Sequence, residues 1–454
     1  MKRNLTEGIE WKQILIFALP IMAGQLLQQL YNTVDGIVVG NFVSEGALAA
    51  VGSCGTMSFV FLAFAMGMSN GSGIIISQLF GARRMDEMRR AVSTALIMLT
   101  ALGIAFALIA ILSADFLMTR VLAITDAEIK RMSILYFRIY AVGLLFQFLY
   151  NAVASILRAI GDSKATLYFL LISAVANIFG DLLLVAVIPL GVAGAAIATV
   201  LSQLACAAAA FLYMVRRYPD FRFRLRELVF DGEKCLLCLK MGIPTSFQTM
   251  AVSIGNLLLQ RLVNSFGTAT MAAYTVGTRY DHYLNCPTNG FFTAMSAFAG
   301  QNTGAGRPDR IKRGLRSAVI MDVLIICGVG ALMYAFAEPL SRLFGVQGET
   351  LRQSVEFLRF MMLCYPVFAF YMPFNGTFQG CGDPMHSLCS AVLAVIGKIL
   401  GAYGMAYIFH VGYSSCWKSN VIGWIMACIF VLLYFRSGKW QTKGIVKQQA
   451  QEAK

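Results

Sequence analysis

Gly24–Asn41, GQLLQQLYNTVDGIVVGN, decides how this chain is read. It lies within an apolar run long enough to cross a bilayer as a helix, and it carries one carboxylate, Asp35. A charged side chain at hydrocarbon depth is costly unless it has a partner, a water-filled cavity or a function. Two questions follow. How many such runs does the chain have, and do any of them bring partners to Asp35?

Apolar runs make up most of the chain. Of 454 residues, 58% are hydrophobic and 13% are charged, and the mean hydropathy is +0.68. Soluble domains carry about a quarter charged residues, so the chain reads as a polytopic membrane protein. Runs of about twenty residues, enough for a helix to span a bilayer, fall at 13–41, 47–78, 91–113, 133–156, 165–187 and 191–214. The second half gives 235–263, 269–298, 316–337, 357–379, 386–410 and 416–436. The expected architecture is all-α, with twelve transmembrane helices.

The net charge of +14 points to topology rather than to nucleic acid, because the basic residues sit in short loops between apolar runs. Arg83, Arg84, Arg89 and Arg90 follow the second span, and Arg158 and Lys164 the fourth. Arg216, Arg217, Arg222, Arg224 and Arg226 follow the sixth, and Arg307, Arg310, Lys312, Arg313 and Arg316 the eighth. Loops on the other side carry few basic residues or mix in acids. By the positive-inside rule both termini are expected in the cytoplasm of a cell-membrane protein. The opening MKRNLTEGIEWKQ lacks the pattern of a cleaved leader, so the first span is expected to direct insertion. Cys235 and Cys238 form a lone CxxC without a second pair, which does not make a zinc site.

The chain is also duplicated. QLFGARRMDEMRRAV from Gln78 matches QNTGAGRPDRIKRGLRSAV from Gln301, an offset of 301 − 78 = 223. LRAIGDS and FQGCGDP align Gly161-Asp162 with Gly382-Asp383, an offset of 382 − 161 = 221. Pro20 and Pro244 open spans one and seven. Six spans per repeat make the two halves parallel copies, a plan typical of secondary transporters. The expected division is an N-lobe over 1–214, a cytoplasmic linker over 215–234, a C-lobe over 235–438 and a cytoplasmic tail over 439–454.

Depth then sorts the polar residues. Asp35 lies about 9 Å below the outer end of its span, at 1.5 Å per residue. In SAVANIFGDLLLV, Asn177 and Asp181 are four residues apart and share one helix face. Asp181 comes out near the depth of Asp35, and Thr199 of GAAIATVLSQ near that of Asn177. Two carboxylates, an amide and a hydroxyl make an all-oxygen set suited to a proton or a hard cation such as Na⁺. The alternative is that Asn177 and Asp181 only bond to neighbouring backbone in a packed bundle.

These features resemble the multidrug and toxic compound extrusion (MATE) transporters over nearly the whole chain. The resemblance rests on the proline and leucine of Pro20–Leu26, on Asp35-Gly36, the GARR loop, RAIGDS, NIFGD and the duplicated plan. It is strongest to the branch with DinF-like and archaeal members. The resemblance implies an N-lobe cation site at Asp35, Asn177, Asp181 and Thr199, flanked by Tyr31, Tyr136 and Asn151. It implies export of cationic or amphipathic organic compounds, driven by inward movement of H⁺ or Na⁺, with no other cofactor. NorM-like members carry an acid on span seven, whereas Val252–Gln260, VSIGNLLLQ, has none. A monomer in the lipid bilayer, without a nucleic-acid partner, completes the expectation.

The second half still carries charge at depth. Arg279, Asp281 and Lys398 are candidates to line a substrate cavity, although Arg279 and Asp281 could equally neutralise each other. Lys398 aligns with Asn177 in the repeat (177 + 221 = 398). A basic cavity would suit a lipid-linked oligosaccharide flippase of the same superfamily, the main rival reading. A channel needs neither the duplication nor the buried carboxylates. No phosphate-cradling loop, zinc motif or nucleophile elbow is present, so an enzyme has no support.

Overall fold

The computed structural model describes residues 4–42, 45–122, 124, 126–222 and 227–445, apart from the side chains of residues 31–42, 45–49, 53 and 56. Among them the chain is helical and has no strand. The first half contains α1 (Glu10–Phe42), α2 (Glu45–Gly81), α3 (Met85–Phe116), α4 (Ala127–Ala159), α5 (Lys164–Asp181) and α6 (Gly191–Arg217). The second contains α7 (Gly232–Ser265), α8 (Thr268–Gly304), α9 (Pro308–Ala335), the short α10 (Ala337–Arg342), α11 (Gly348–Gly380), α12 (Pro384–Tyr403) and α13 (Ser415–Arg436). Apart from α10 these are the twelve expected helices, and 11 of them combine the length and hydropathy of a membrane span. The exception is α8, where Arg279, Asp281, His282, Asn285 and Asn289 interrupt the apolar run.

Local chemistry explains where the helices start. Asp126 accepts from the Glu128 and Ile129 amides, both at 2.9 Å, and so caps α4. Asp231 does the same for Glu233 and Lys234 at the head of α7. A side-chain acceptor of this kind satisfies amides that have no partner in the first turn. Pro308 and Pro384 open α9 and α12, positions where the missing N–H costs nothing.

The chain divides into two compact units. Unit 1 comprises Ala23–Phe80 and Arg84–Ser246, and unit 2 comprises Asn4–Met22, Gly81–Arg83 and the chain from Phe247 onward. The start of α1 therefore belongs to unit 2 and the start of α7 to unit 1. Each helix changes unit two residues after a proline, Pro20 or Pro244, where a backbone hydrogen bond is lost and a helix can bend. The lobes expected from chain order differ from these units at those two helix starts and at Gly81–Arg83, which falls in unit 2.

Small residues set the spacing of the helices within each unit, as in membrane bundles generally. In unit 1, Gly180 of α5 lies against Ala198 of α6, where an added Cβ would come within 2.9 Å of the Ala198 methyl. In unit 2, Gly376 and Gly380 of α11 press on the α8 backbone at Phe292 and Ser296, and Gly397 of α12 meets Gly423 of α13.

The duplication is visible in particular bonds. Gly161 (φ 91) and Gly382 (φ 92) make the same left-handed turn after α4 and α11. The aspartate that follows each accepts a tyrosine hydroxyl: Tyr213 to Asp162 at 2.9 Å in unit 1, and Tyr434 to Asp383 in unit 2. These pairs are related by one offset, 213 + 221 = 434 and 162 + 221 = 383. A π-helical turn follows α5 at Leu182–Val187, and another follows α12 at Gly404–Ile408.

Candidate ion and substrate sites

Unit 1 assembles its site on α5 and α6. Asn177 and Asp181 sit one turn apart on α5, and both are buried, with 1% of each exposed. Neither Oδ1 nor Nδ2 of Asn177 has a hydrogen-bond partner among the described residues. Burying an unpartnered polar atom costs about 1–3 kcal/mol, so an apolar residue would be cheaper there unless something binds. Thr199 of α6 is also buried, and its hydroxyl donates to the Ala195 carbonyl at 3.0 Å, which leaves its oxygen able to accept. The close approach of Gly180 to Ala198 brings the α5 and α6 backbones together at the level of Asp181 and Thr199.

Of the flanking residues, Tyr136 is buried and its ring stacks on Tyr140, with centroids 6.2 Å apart. Asn151 turns its amide to the Gln147 carbonyl, 2.8 Å away on its own helix. That bond is local and does not direct the amide at Asn177. Tyr31 and Asp35 fall on the part of α1 whose side chains lie outside the described residues.

One polar group escaped the sequence reading. The Tyr140 hydroxyl of α4 stands beside Gln203 of α6 and Ser58 of α2, and Gln203 and Ser58 are buried. The signal was there to be read, because Gln203 follows Thr199 by four residues and so shares its helix face. Gly143 of α4 makes the room, since a Cβ at that position would collide with the Gln203 side chain.

Unit 2 separates the three basic and acidic candidates of the second half. Arg279 is exposed, and its guanidinium lies over the Phe344 ring, 5.8 Å from the centroid. Asp281, two residues on, is half-buried on another face of α8, near the Lys398 ammonium and beside the Tyr365 hydroxyl. Lys398 donates to Asn256 Oδ1 at 3.0 Å. Thus Asp281 and Lys398 come together, while Arg279 is held elsewhere by an aromatic ring. Asp322 of α9 is fully buried and accepts from the Thr288 hydroxyl at 3.2 Å. Among the described residues, no group of three or more His, Cys, Asp or Glu side chains could hold a metal ion.

Comparison with known proteins bears on the family and the helical architecture. The family model MatE matches residues 20–183 and 244–404. The chain is 29% identical over 448 residues to "Probable multidrug resistance protein YpnP" of Bacillus subtilis, covering 96% of this chain and 97% of that protein. It is 28% identical to "Probable multidrug resistance protein YoeA" of the same organism, covering 96% of each. Among solved structures it resembles an outward-facing multidrug resistance MATE family transporter of the MOP superfamily, with a TM-score of 0.88 and 26% identity. That match covers 96% of this chain and 97% of the other.

Proposed function

The chain belongs to the MatE family, whose members are multi-pass membrane transporters rather than enzymes, and from that premise we propose that it is a multidrug efflux antiporter. It exports cationic and amphipathic organic compounds against inward movement of a monovalent cation, H⁺ or Na⁺. The cation site is Asp35, Asn177, Asp181 and Thr199. The observation that carries this reading is the buried Asn177 amide without a partner, one turn from the buried Asp181. A proton on Asp181 would donate to the amide oxygen, and Na⁺ would take the carboxylate, amide and hydroxyl oxygens together. Either guest satisfies the buried amide oxygen and so removes part of that cost.

The ion shifts the transporter between states only to the extent that it binds one state better. Cation binding in unit 1 would favour the state that releases drug outside, and loss of the cation inside would reset it. The proline and glycines of α1, Pro20, Gly36 and Gly40, give that helix places to bend. Both termini face the cytoplasm in this reading, because the loops rich in arginine and lysine do. A flippase for a pyrophosphate-linked lipid would need converging basic side chains, but Arg279 lies over Phe344 and Lys398 sits near a carboxylate.

The test is ethidium efflux from proteoliposomes under an imposed pH or Na⁺ gradient. The wild type is expected to export dye under one of the two gradients, which identifies the ion. Asp181→Asn is expected to lower gradient-driven efflux by at least about tenfold, from loss of a charge-assisted interaction of about 1.5–3 kcal/mol. Efflux at the wild-type rate in folded Asp181→Asn would overturn the proposed site.

A further inference from the structure

Unit 2 contains a second ionisable group of side chains that the cation site does not use. It is not a copy of the unit 1 site. By the repeat, Asp181 aligns with Ala402 (181 + 221 = 402), and no acid of α12 replaces it. Unit 2 carries an acid on a different helix, Asp281 on α8, and it comes with a cation, Lys398 on α12.

The arrangement is unusual for an acid and a base in one low-dielectric bundle. The two charges are within electrostatic reach of each other, yet the Lys398 ammonium makes its hydrogen bond to Asn256 at 3.0 Å. Asp281 Oδ1 is buried without a hydrogen bond among the described residues. The Tyr365 hydroxyl beside it points to the Asp281 main-chain carbonyl, 3.5 Å away, and the Asn285 amide donates to the same carbonyl at 2.7 Å. The ammonium is thus oriented by Asn256, and the carboxylate is not hydrogen-bonded to it. Tyr365 in turn packs with Phe368 and Trp424 as a trio of rings, with centroids 5.2–5.7 Å apart.

We infer that Asp281 and Lys398 form a second ligand site in unit 2, selective for aromatic zwitterions, with Lys398 as the residue that sets this selectivity. The inference rests on the reading of the chain as a transporter of organic compounds. The site is electrically neutral when empty. A monocation drawn to Asp281 would leave two positive charges around one carboxylate, and in a low dielectric that imbalance is expensive. A ligand carrying both an ammonium and a carboxylate matches Asp281 with one end and Lys398 with the other. The occupied site then stays neutral, and the ring trio takes the flat body of the ligand. Specificity of this kind comes from repulsion as much as attraction, with the tethered ammonium rejecting simple cations.

The test compares rhodamine B, which carries a free carboxylate and is zwitterionic, with its ethyl ester, a monocation on the same ring system. Binding to the full chain in nanodiscs is measured by fluorescence anisotropy, with empty nanodiscs subtracted. The wild type is expected to prefer rhodamine B by about tenfold. Lys398→Gln should remove that preference by weakening rhodamine B binding and leaving the ester unchanged or tighter. Lys398→Arg should keep the preference, and Asp281→Asn should weaken both dyes. Wild-type protein that binds the ester as tightly as rhodamine B overturns the inference, whether or not any variant folds. A preference that survives in folded Lys398→Gln overturns it as well. Ethidium efflux from proteoliposomes made with the same purified protein keeps the two readings apart. Ion-driven efflux without zwitterion preference removes this site alone, and zwitterion preference without ion-driven efflux removes the antiport reading alone.

Discussion

Replacing Asn177 by leucine separates two properties that the native residue combines. The amide is buried with both polar atoms unpartnered among the described residues, so it weakens the resting fold by about 1–3 kcal/mol. Leucine has nearly the same shape and no such penalty. Asn177→Leu is therefore expected to melt a few degrees above the wild type in a detergent thermal-shift assay while losing gradient-driven ethidium efflux. Stability spent at a working site is common among natural proteins. A variant that melts lower would show the amide to be satisfied in the resting protein, and would take away the observation on which the cation site rests. Asn177 and Asp181 were legible in the sequence because an i, i+4 polar pair in an apolar run has few explanations. Gln203 lies one turn beyond Thr199 in the middle of α6, but a lone uncharged amide in an apolar run gives a weak signal. Arg279 is the opposite case. Its charge drew notice, but two residues along a helix turn the side chain by about 200° at 3.6 residues per turn, and Phe344 was there to receive it.

The starts of α1 and α7 show how one element can be built twice with opposite charge. In unit 2, Glu10 at the start of α1 pairs with Arg310 at 3.3 Å and Arg313 at 3.0 Å. The chain just before it is tied down by Arg307 donating to the Thr6 carbonyl at 2.7 Å and the Leu5 amide donating to Gln301 at 2.9 Å. In unit 1, Lys234 at the start of α7 pairs with Glu87 of α3 at 3.2 Å, and Val229 and Asp231 donate their amides to Ser93 and Thr94. The offsets are those of the repeat, 10 + 224 = 234 and 87 + 223 = 310, so acid and base have traded places. Arg84, which also pairs with Glu87, corresponds to Arg307 (84 + 223 = 307). Lys234 is nearly buried, with 6% of its side chain exposed, and Glu87 is partly exposed at 28%. Glu87→Arg sets a third cation beside Lys234 and Arg84 and is expected to cost about 2 kcal/mol, less than a fully buried pair because water screens it. Adding Lys234→Glu gives unit 1 the polarity that unit 2 already has, and should recover most of that loss in the same melting assay. A double variant no more stable than Glu87→Arg would show that the two clamps are not interchangeable. This element was hidden in the sequence. The duplicated loop was plain from Gly81, Ala82, Arg84 and Asp86, but charges exchanged between repeats look like mismatches in an alignment.

Over the whole molecule, the repeat is preserved in the polar turns and abandoned in the helices that carry ionisable groups. The turns were readable because a glycine with positive φ followed by an aspartate has few substitutes, whereas apolar helices tolerate many sequences and hide their equivalence. The division into units was less readable: which unit takes the start of α1 or α7 depends on packing beyond Pro20 and Pro244, not on hydropathy. The equivalence of the turns has a measurable asymmetry. Asp162 accepts two tyrosine hydroxyls, Tyr213 at 2.9 Å and Tyr218 at 2.7 Å, and the Ala165 amide at 3.3 Å. Burial and the neighbouring Asp162 carboxylate push the Tyr218 phenol above its ordinary range, so it stays protonated and keeps donating. Asp383, nearly buried, holds Tyr434 and the Nδ1 of His386, 2.8 Å away, with the His386 ring stacked on Tyr434 at 3.7 Å. Removing one hydroxyl therefore leaves Asp162 with a second phenol but leaves Asp383 with no phenol and only the His386 imidazole. A hydrogen bond to a carboxylate contributes about 1.5–3 kcal/mol, so Tyr434→Phe is expected to lower stability by about 2 kcal/mol. Tyr213→Phe should cost less than about 1 kcal/mol, because Tyr218 remains in place. Equal losses in the two variants would mean that the second phenol on Asp162 does not compensate for the first.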